Sequence, residues 1–140
     1  MKPSLHLLVS LILAAILYPV FNWKALFILV GGVLIDIDHY LWYIYKYKKL
    51  SLFDSYKHFI INVKKGNFDK DFGALLIFHS IEFLAALVVL SFYNEFVLAL
   101  TIGLLMHNLL DLIWTYFVPK RFIITYSIIY WLTKNKIQNL

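Results

Sequence analysis

Apolar residues run through this chain in long uninterrupted blocks, at about 5–22, 25–45, 72–93 and 96–118. Each block is close to the roughly 20 residues that a helix needs to cross about 30 Å of hydrocarbon at 1.5 Å per residue. Polar turns at Asn22-Trp23-Lys24 and Asn94-Glu95 predict that the first two blocks, and the last two, form antiparallel hairpins. The segment FIITYSIIYWL, 122–132, is too short to cross and is predicted to be an interfacial or partly re-entrant helix. Between the second and third blocks, Leu52, Phe53, Tyr56, Phe59, Ile60 and Val63 recur at helical spacing. Ser51 as N-cap, Asp54 three residues on, and Gly66 as a stop delimit an amphipathic helix at about 52–65, lying on the inner membrane surface.

The expected architecture is therefore all-α. It is a single transmembrane domain over 1–140, a four-helix bundle in the membrane with a cytoplasmic-surface amphipathic helix and a short C-terminal interfacial helix. The opening MKPSLHLLVSLILAAIL has no convincing small-x-small cleavage site before Tyr18, Pro19 and Asn22. It is read as a retained first span rather than a leader.

Composition sharpens this picture. The chain is 62% hydrophobic and 15% charged, whereas a soluble domain is about a quarter charged. The net charge of +5 is concentrated between the apolar blocks. With the N-terminus inside, Lys2, seven lysines in 46–70, Lys120, Arg121, Lys134 and Lys136 face the cytoplasm, and only Lys24 lies outside. This asymmetry predicts an inner-membrane protein with both termini cytoplasmic. The bilayer, not nucleic acid, is the expected partner of the basic residues. Cysteine is absent, which excludes disulfides and thiolate ligands.

The apolar blocks nevertheless contain His6, Asp36, Asp38, His39, His79, Glu82, His107 and Asp111, with no Lys or Arg among them. A carboxylate at mid-span costs about 2.5–3.5 kcal/mol on insertion scales, so four unaided would cost on the order of 10 kcal/mol. Protonated acids, imidazolium partners, a water-filled cavity or bound metal could relieve that cost. Divalent cations would balance the carboxylates while neutral imidazoles completed their shells, and metal is the reading that uses every residue. A lone His or Asp in a span is as often a polar contact between helices. The argument rests on convergence: all but His6 lie at one depth, roughly 10–15 Å from the inner face, and His6 is expected nearer the mouth. The stripes His6/Ser10/Ala14, Gly32/Asp36/His39, His79/Glu82/Ala86 and Gly103/His107/Asp111 each share a helix face. Asp38 breaks the pattern, pointing about 200° from Asp36 on an ideal helix. Either the helix is distorted near Gly31-Gly32, or Asp38 lies behind the ligands or faces solvent. His58 and Asp54, on the surface helix, are expected to be ordinary solvated residues.

The motifs LHLL, a GG segment ending in DIDH, a later HS and a final HNLLD followed by Thr115 resemble the membrane-bound metal-dependent hydrolase family. Its members are also described as LexA-binding, inner-membrane-associated hydrolases. The matching positions are His6, Gly31, Gly32, Asp36, Asp38, His39, His79, Ser80, His107, Leu110, Asp111 and Thr115. Ile35 stands where the family usually has proline, and Leu76-Ile77-Phe78 where many members carry an Arg-Gly pair. The ligand types are also similar to those of all-helical zinc phospholipases C.

Three functions follow as expectations. The first is a hydrolase at the cytoplasmic leaflet with one or two Zn²⁺ ions, Mn, Fe or Mg being alternatives, acting on a phosphoester of a lipid-like substrate. Such ions acidify bound water and polarise a phosphoryl oxygen. Asp36, Asp38, His39, His79, Glu82, His107 and Asp111 are the candidate ligands. Glu82 is alternatively the general base, and His6 a ligand or proton shuttle. The second is a metal-ion or proton transporter, disfavoured by the apolar far halves of the blocks. The third is a structural membrane protein stapled by metal.

Overall fold

The computed structural model describes residues 3–65, 76–117 and 127–138, and every regular element among them is helical. Helix α1 is Pro3–Phe21. The chain reverses at Asn22, whose φ of 51° lies in the left-handed region that Asn tolerates. A 3₁₀ turn, Asn22–Ala25, then leads into α2, Leu26–Val33. The hairpin predicted from Asn22-Trp23-Lys24 is present, with Gly32 of α2 against Ser10 of α1.

The second apolar block is not one helix. After α2 comes a 3₁₀ turn at Leu34–Asp36, and α3 begins afresh at Ile37–Tyr47. The break sits at Val33, with φ −128° and ψ −50°, one residue beyond the glycine pair. Lys48 ends α3 in the left-handed region. Helix α4, Leu52–Lys65, follows with the predicted cap: the Asp54 amide donates to Ser51 Oγ at 3.1 Å. Gly66, the expected stop, lies outside the described residues.

The third block departs furthest from expectation. Leu76 is extended, Ile77–His79 is a 3₁₀ turn, and α5 covers only Ile81–Ser91. Eleven residues reach roughly 16 Å, and 72–75 of the predicted crossing 72–93 lie outside the described residues. The late start of α5 has a local reason: Ser80 adopts extended geometry and its hydroxyl caps Phe83 N, fixing the helix start after His79. Helix α6, Glu95–Phe117, is capped by Asn94 Oδ1, which accepts from Phe96 N and Val97 N. Helix α7 is Ile128–Gln138, later than the predicted 122–132. It begins there because Ser127 Oγ accepts from Tyr130 N and the Glu82 carboxylate accepts from Ile128 N and Ile129 N. Of the predicted stretch, 122–126 lie outside the described residues.

The central packing is α2 on α6. A Cβ on Gly31 would stand 2.1 Å from Leu100 O, and one on Gly103 would stand 2.2 Å from Ile28 O. Only glycine allows the two backbones this close, as small residues do between helices in lipid. Among the described residues, two helical segments are long and apolar enough to cross a membrane: the run Pro3–Tyr47, which folds back at Asn22, and Glu95–Trp114. Only 17% and 28% of their most apolar windows are buried, which is unlike core helices of a water-soluble protein. Burial is inverted: on α1 the polar His6 and Ser10 are inside while Leu8, Leu11, Ile12 and Ile16 are exposed.

Candidate metal centre

Five elements deliver the cluster. Helix α6 presents His107 and Asp111 one turn apart, in line with Gly103, as predicted. Gly103 and Gly31 bring α2 close enough for His107 Nδ1–H to donate to the Gly32 carbonyl at 3.0 Å. Asp36 comes from the 3₁₀ turn after α2, and Asp38 and His39 from the first turn of α3. His79 comes from the 3₁₀ turn before α5, and His6 from α1.

The break at Val33–Asp36 resolves the problem of Asp38. It turns α3 so that Asp38 is buried and its Oδ2 accepts from His79 Nδ1–H at 2.9 Å and from Phe78 N at 3.2 Å. Its Oδ1 accepts from His39 Nδ1–H at 3.0 Å. Asp38 thus lies behind His79 and orients its ring.

Both innermost imidazoles are held the same way. His107 Nδ1 faces a carbonyl oxygen and His79 Nδ1 faces a carboxylate oxygen, and both oxygens are acceptors. Each Nδ1 therefore carries the proton, and in the neutral ring each Nε2 presents a lone pair. Those two Nε2 atoms face one another at 3.2 Å. Asp36 Oδ1 stands 3.4 Å from His107 Nε2 and 3.8 Å from His79 Nε2. In that neutral form three acceptors converge on one point, an arrangement that a shared cation would satisfy. Around a tetrahedral ion with bonds of about 2.0–2.1 Å, donor atoms lie about 3.3 Å apart, close to what is seen. An Nδ1 tied to a carbonyl or carboxylate is also the usual arrangement behind a metal-binding histidine. The donor set Asp36–His79–His107 fits a divalent cation on distance, charge and orientation.

Two further groups adjoin it, His6–His107–Asp111 and Asp38–His39–His79. Asp111 Oδ2 is 3.3 Å from His107 Nε2, and Asp111 Oδ1 is 3.2 Å from His6 Nε2. His107 has only Nε2 to offer, so the first two groups share that atom and cannot both be filled as independent sites. His6 is not near a mouth, as its place in the chain suggested. It is 1% exposed, and its ring stacks on His107 at 3.9 Å and 18°. The notch at Gly32 that admits Ser10 draws α1 in this far. His6 Nδ1 is buried and has no hydrogen-bond partner among the described residues.

Glu82 is not brought to the cluster. The unwinding at His79-Ser80 takes the two out of one helical stripe, and the Glu82 carboxylate accepts from Ser127 Oγ at 2.6 Å while capping α7. Among the described residues Glu82, expected as bridging ligand or general base, is in none of the donor groups, and its carboxylate meets Ser127 and the start of α7. His58 is likewise not simply solvated: it packs among Trp42, Tyr43, Tyr47 and Phe59. The supporting roles that sequence reasoning missed are those of the Gly32 carbonyl, the Phe78 amide and the helix cap at Ser80. Of these only Ser80, a cap residue directly before an apolar run, had a sequence signal.

Access is uneven. The side chains of His6, His79 and His107 are at most 1% exposed, whereas Asp36, His39 and Asp111 are 32%, 21% and 19% exposed. No family model matches the chain, and no curated protein or solved structure matches it either.

Proposed function

We propose that this protein is a membrane-embedded, metal-dependent hydrolase that acts on a phosphoester of a membrane lipid at the cytoplasmic leaflet. In this reading the apolar blocks form a four-helix bundle in the inner membrane with both termini cytoplasmic. Asp36, His79 and His107 hold one divalent ion, zinc by its ligand preferences. The resemblance of the HS, DIDH and HNLLD motifs to the membrane-bound hydrolase family agrees with this reading.

The observation that carries it is the approach of His79 Nε2 and His107 Nε2 to 3.2 Å beside the Asp36 carboxylate. Three protein donors is the number that catalytic zinc sites use, leaving a position for water or substrate. An ion bound there supplies Lewis acidity and acidifies water. The chain's own part is to orient and to move protons. Asp38 and the Gly32 carbonyl fix the two ring planes. Asp111, whose Oδ1 accepts from His6 Nε2–H at 3.2 Å, is the carboxylate placed to take a proton, with His6 holding it in position. A transporter reading is not favoured, because the other end of the helices is filled with packed apolar side chains.

The test is elemental analysis of detergent-purified protein beside His107→Ala and Asp36→Asn, followed by turnover on phospholipids and lipid phosphates. About one ion per wild-type chain, lost in both variants together with hydrolysis, is the expected result. A wild-type protein prepared without chelator that carries no ion would overturn the reading. Metal without turnover on any phosphoester would leave only a structural site.

A further inference from the structure

A pocket of ≈ 180 Å³ opens between α3 and α4, and Asp36 and His39 line it. These two are the more exposed members of the otherwise closed cluster. Its walls are of another character: Leu52, Phe59 and Ile60 from α4 and the ring of Tyr40 from α3. The α4 residues recur at the spacing of one helical face. Aromatic contacts hold that face in place, with Phe59 edge-on to His39 at 4.9 Å and beside Trp42 at 5.8 Å. Tyr40 OH also ties the connection between the helices by donating to Leu50 O at 2.6 Å.

We infer that this pocket is a subsite for one hydrocarbon chain of an amphiphile whose phosphate-bearing end sits at Asp36 and His39. The headgroup assignment rests on the hydrolase reading; the chain assignment rests on the pocket itself. An apolar wall ending on a carboxylate and an imidazole matches a molecule that is apolar along its length and polar at one tip. The surroundings select the same occupant. Leu52 and Phe53 of α4 are exposed beside Asp54 and Lys57, the distribution of a helix lying at the hydrocarbon–headgroup boundary. At that depth the apolar material in supply is acyl chain.

The subsite gives the cluster a way to select substrate: a phosphate without a chain has only the polar tip to bind. Each methylene moved from water into such a wall is worth about fourfold in affinity. Short, water-soluble alkyl phosphates should therefore bind progressively more tightly with length until the pocket is full.

The experiment is photolabelling of the full chain in phosphatidylcholine nanodiscs with a long-chain alkyl phosphate bearing a mid-chain diazirine, mapped by peptide mass spectrometry. Label is expected on Leu52, Phe59 and Ile60. It should fall roughly tenfold with Ser55→Leu, which fills the pocket, and with excess unlabelled alkyl phosphate, but not with inorganic phosphate. Label confined to outward residues such as Leu11, Ile12 and Leu105, with none in the pocket, would overturn the inference whether or not the variant folds. Equal pocket labelling by the corresponding alkyl alcohol would overturn the pairing of the chain subsite with the polar tip. Because the readout needs no turnover, pocket labelling without hydrolysis would sink the hydrolase reading and leave the chain subsite standing.

Discussion

The two ends of this helical protein are built from opposite materials. At one end Ala14, Phe21, Ala25, Ile28 and Ala99 form a dry cluster, with Trp23 and Phe27 against Phe96 and a Lys24–Glu95 ion pair at the tip. At the other, the same helices α1, α2 and α6 enclose His6, His107 and Asp111, joined by Asp36, Asp38 and His79. Small side chains let the first end close on itself by packing alone. The second end is closed by polar contacts instead, imidazoles against carboxylates at 2.9–3.4 Å. One end is held by shape, the other by a cluster of His and Asp side chains whose donor atoms could hold a metal ion. Asp36 and His39 reach the surface on the α3–α4 side, where they line a pocket.

The sharpest way to break the contrast is His107→Ala. Metal should fall from about one ion per chain to near zero, and loss of a buried, hydrogen-bonded ring should cost about 3–5 kcal/mol. The damage should be one-sided: hydrogen exchange should rise in 33–39 and 76–80 while 14–28 stays protected. Uniform loosening of both ends would show that they are not separately held.

Gly103→Ala tests the seam that the two ends share. Its new methyl would meet the Ile28 carbonyl at 2.2 Å, a backbone atom that cannot rotate away. A loss of about 1–3 kcal/mol is expected, seen as a lower midpoint of thermal unfolding in detergent, with weaker metal retention as α2 moves off α6. An unchanged midpoint would mean the helices slide more easily than their packing implies.

Asp38→Asn sharpens the polar end by keeping its shape and removing one charge. Metal affinity should drop about 10–100-fold, the usual cost of losing the partner behind a metal-binding histidine. Competition with a chelator of known affinity measures it. Metal lost outright would instead make Asp38 a direct ligand.

Glu82→Gln should do least. It weakens the cap on α7 by about 1 kcal/mol, read as faster exchange at Ile128 and Ile129, with metal content and turnover near wild type. A large loss of turnover would restore Glu82 as a catalytic base.

Much of this was legible in the sequence. The Gly103/His107/Asp111 and His6/Ser10/Ala14 stripes follow from uninterrupted helices, where a period of 3.6 residues assigns faces reliably. The Ser51 cap and the Asn22 turn were readable because they are local chemistry. What failed was periodicity across breaks. Val33–Asp36 and Leu76–Ser80 leave the helical path to satisfy tertiary partners, the Asp38 carboxylate reaching Phe78 N and His79 across forty residues of chain. The energy of those contacts is absent from any local window. Glu82 was misplaced for the same reason: its three-residue spacing from His79 meant nothing once Ser80 had restarted the helix.

The glycine seam between α2 and α6 carries an implication for drift among descendants of this chain. Positions 31 and 103 touch carbonyls of the opposing backbone, so no replacement larger than hydrogen can be offset by repacking a neighbour. The exposed leucines and isoleucines of α1 and α6, by contrast, can interchange with almost any oily residue at little penalty. Sequence change should therefore pile up on the outside and be nearly frozen along this inner line. A lineage that lost either glycine should also have lost the registration that aims the position-107 ring.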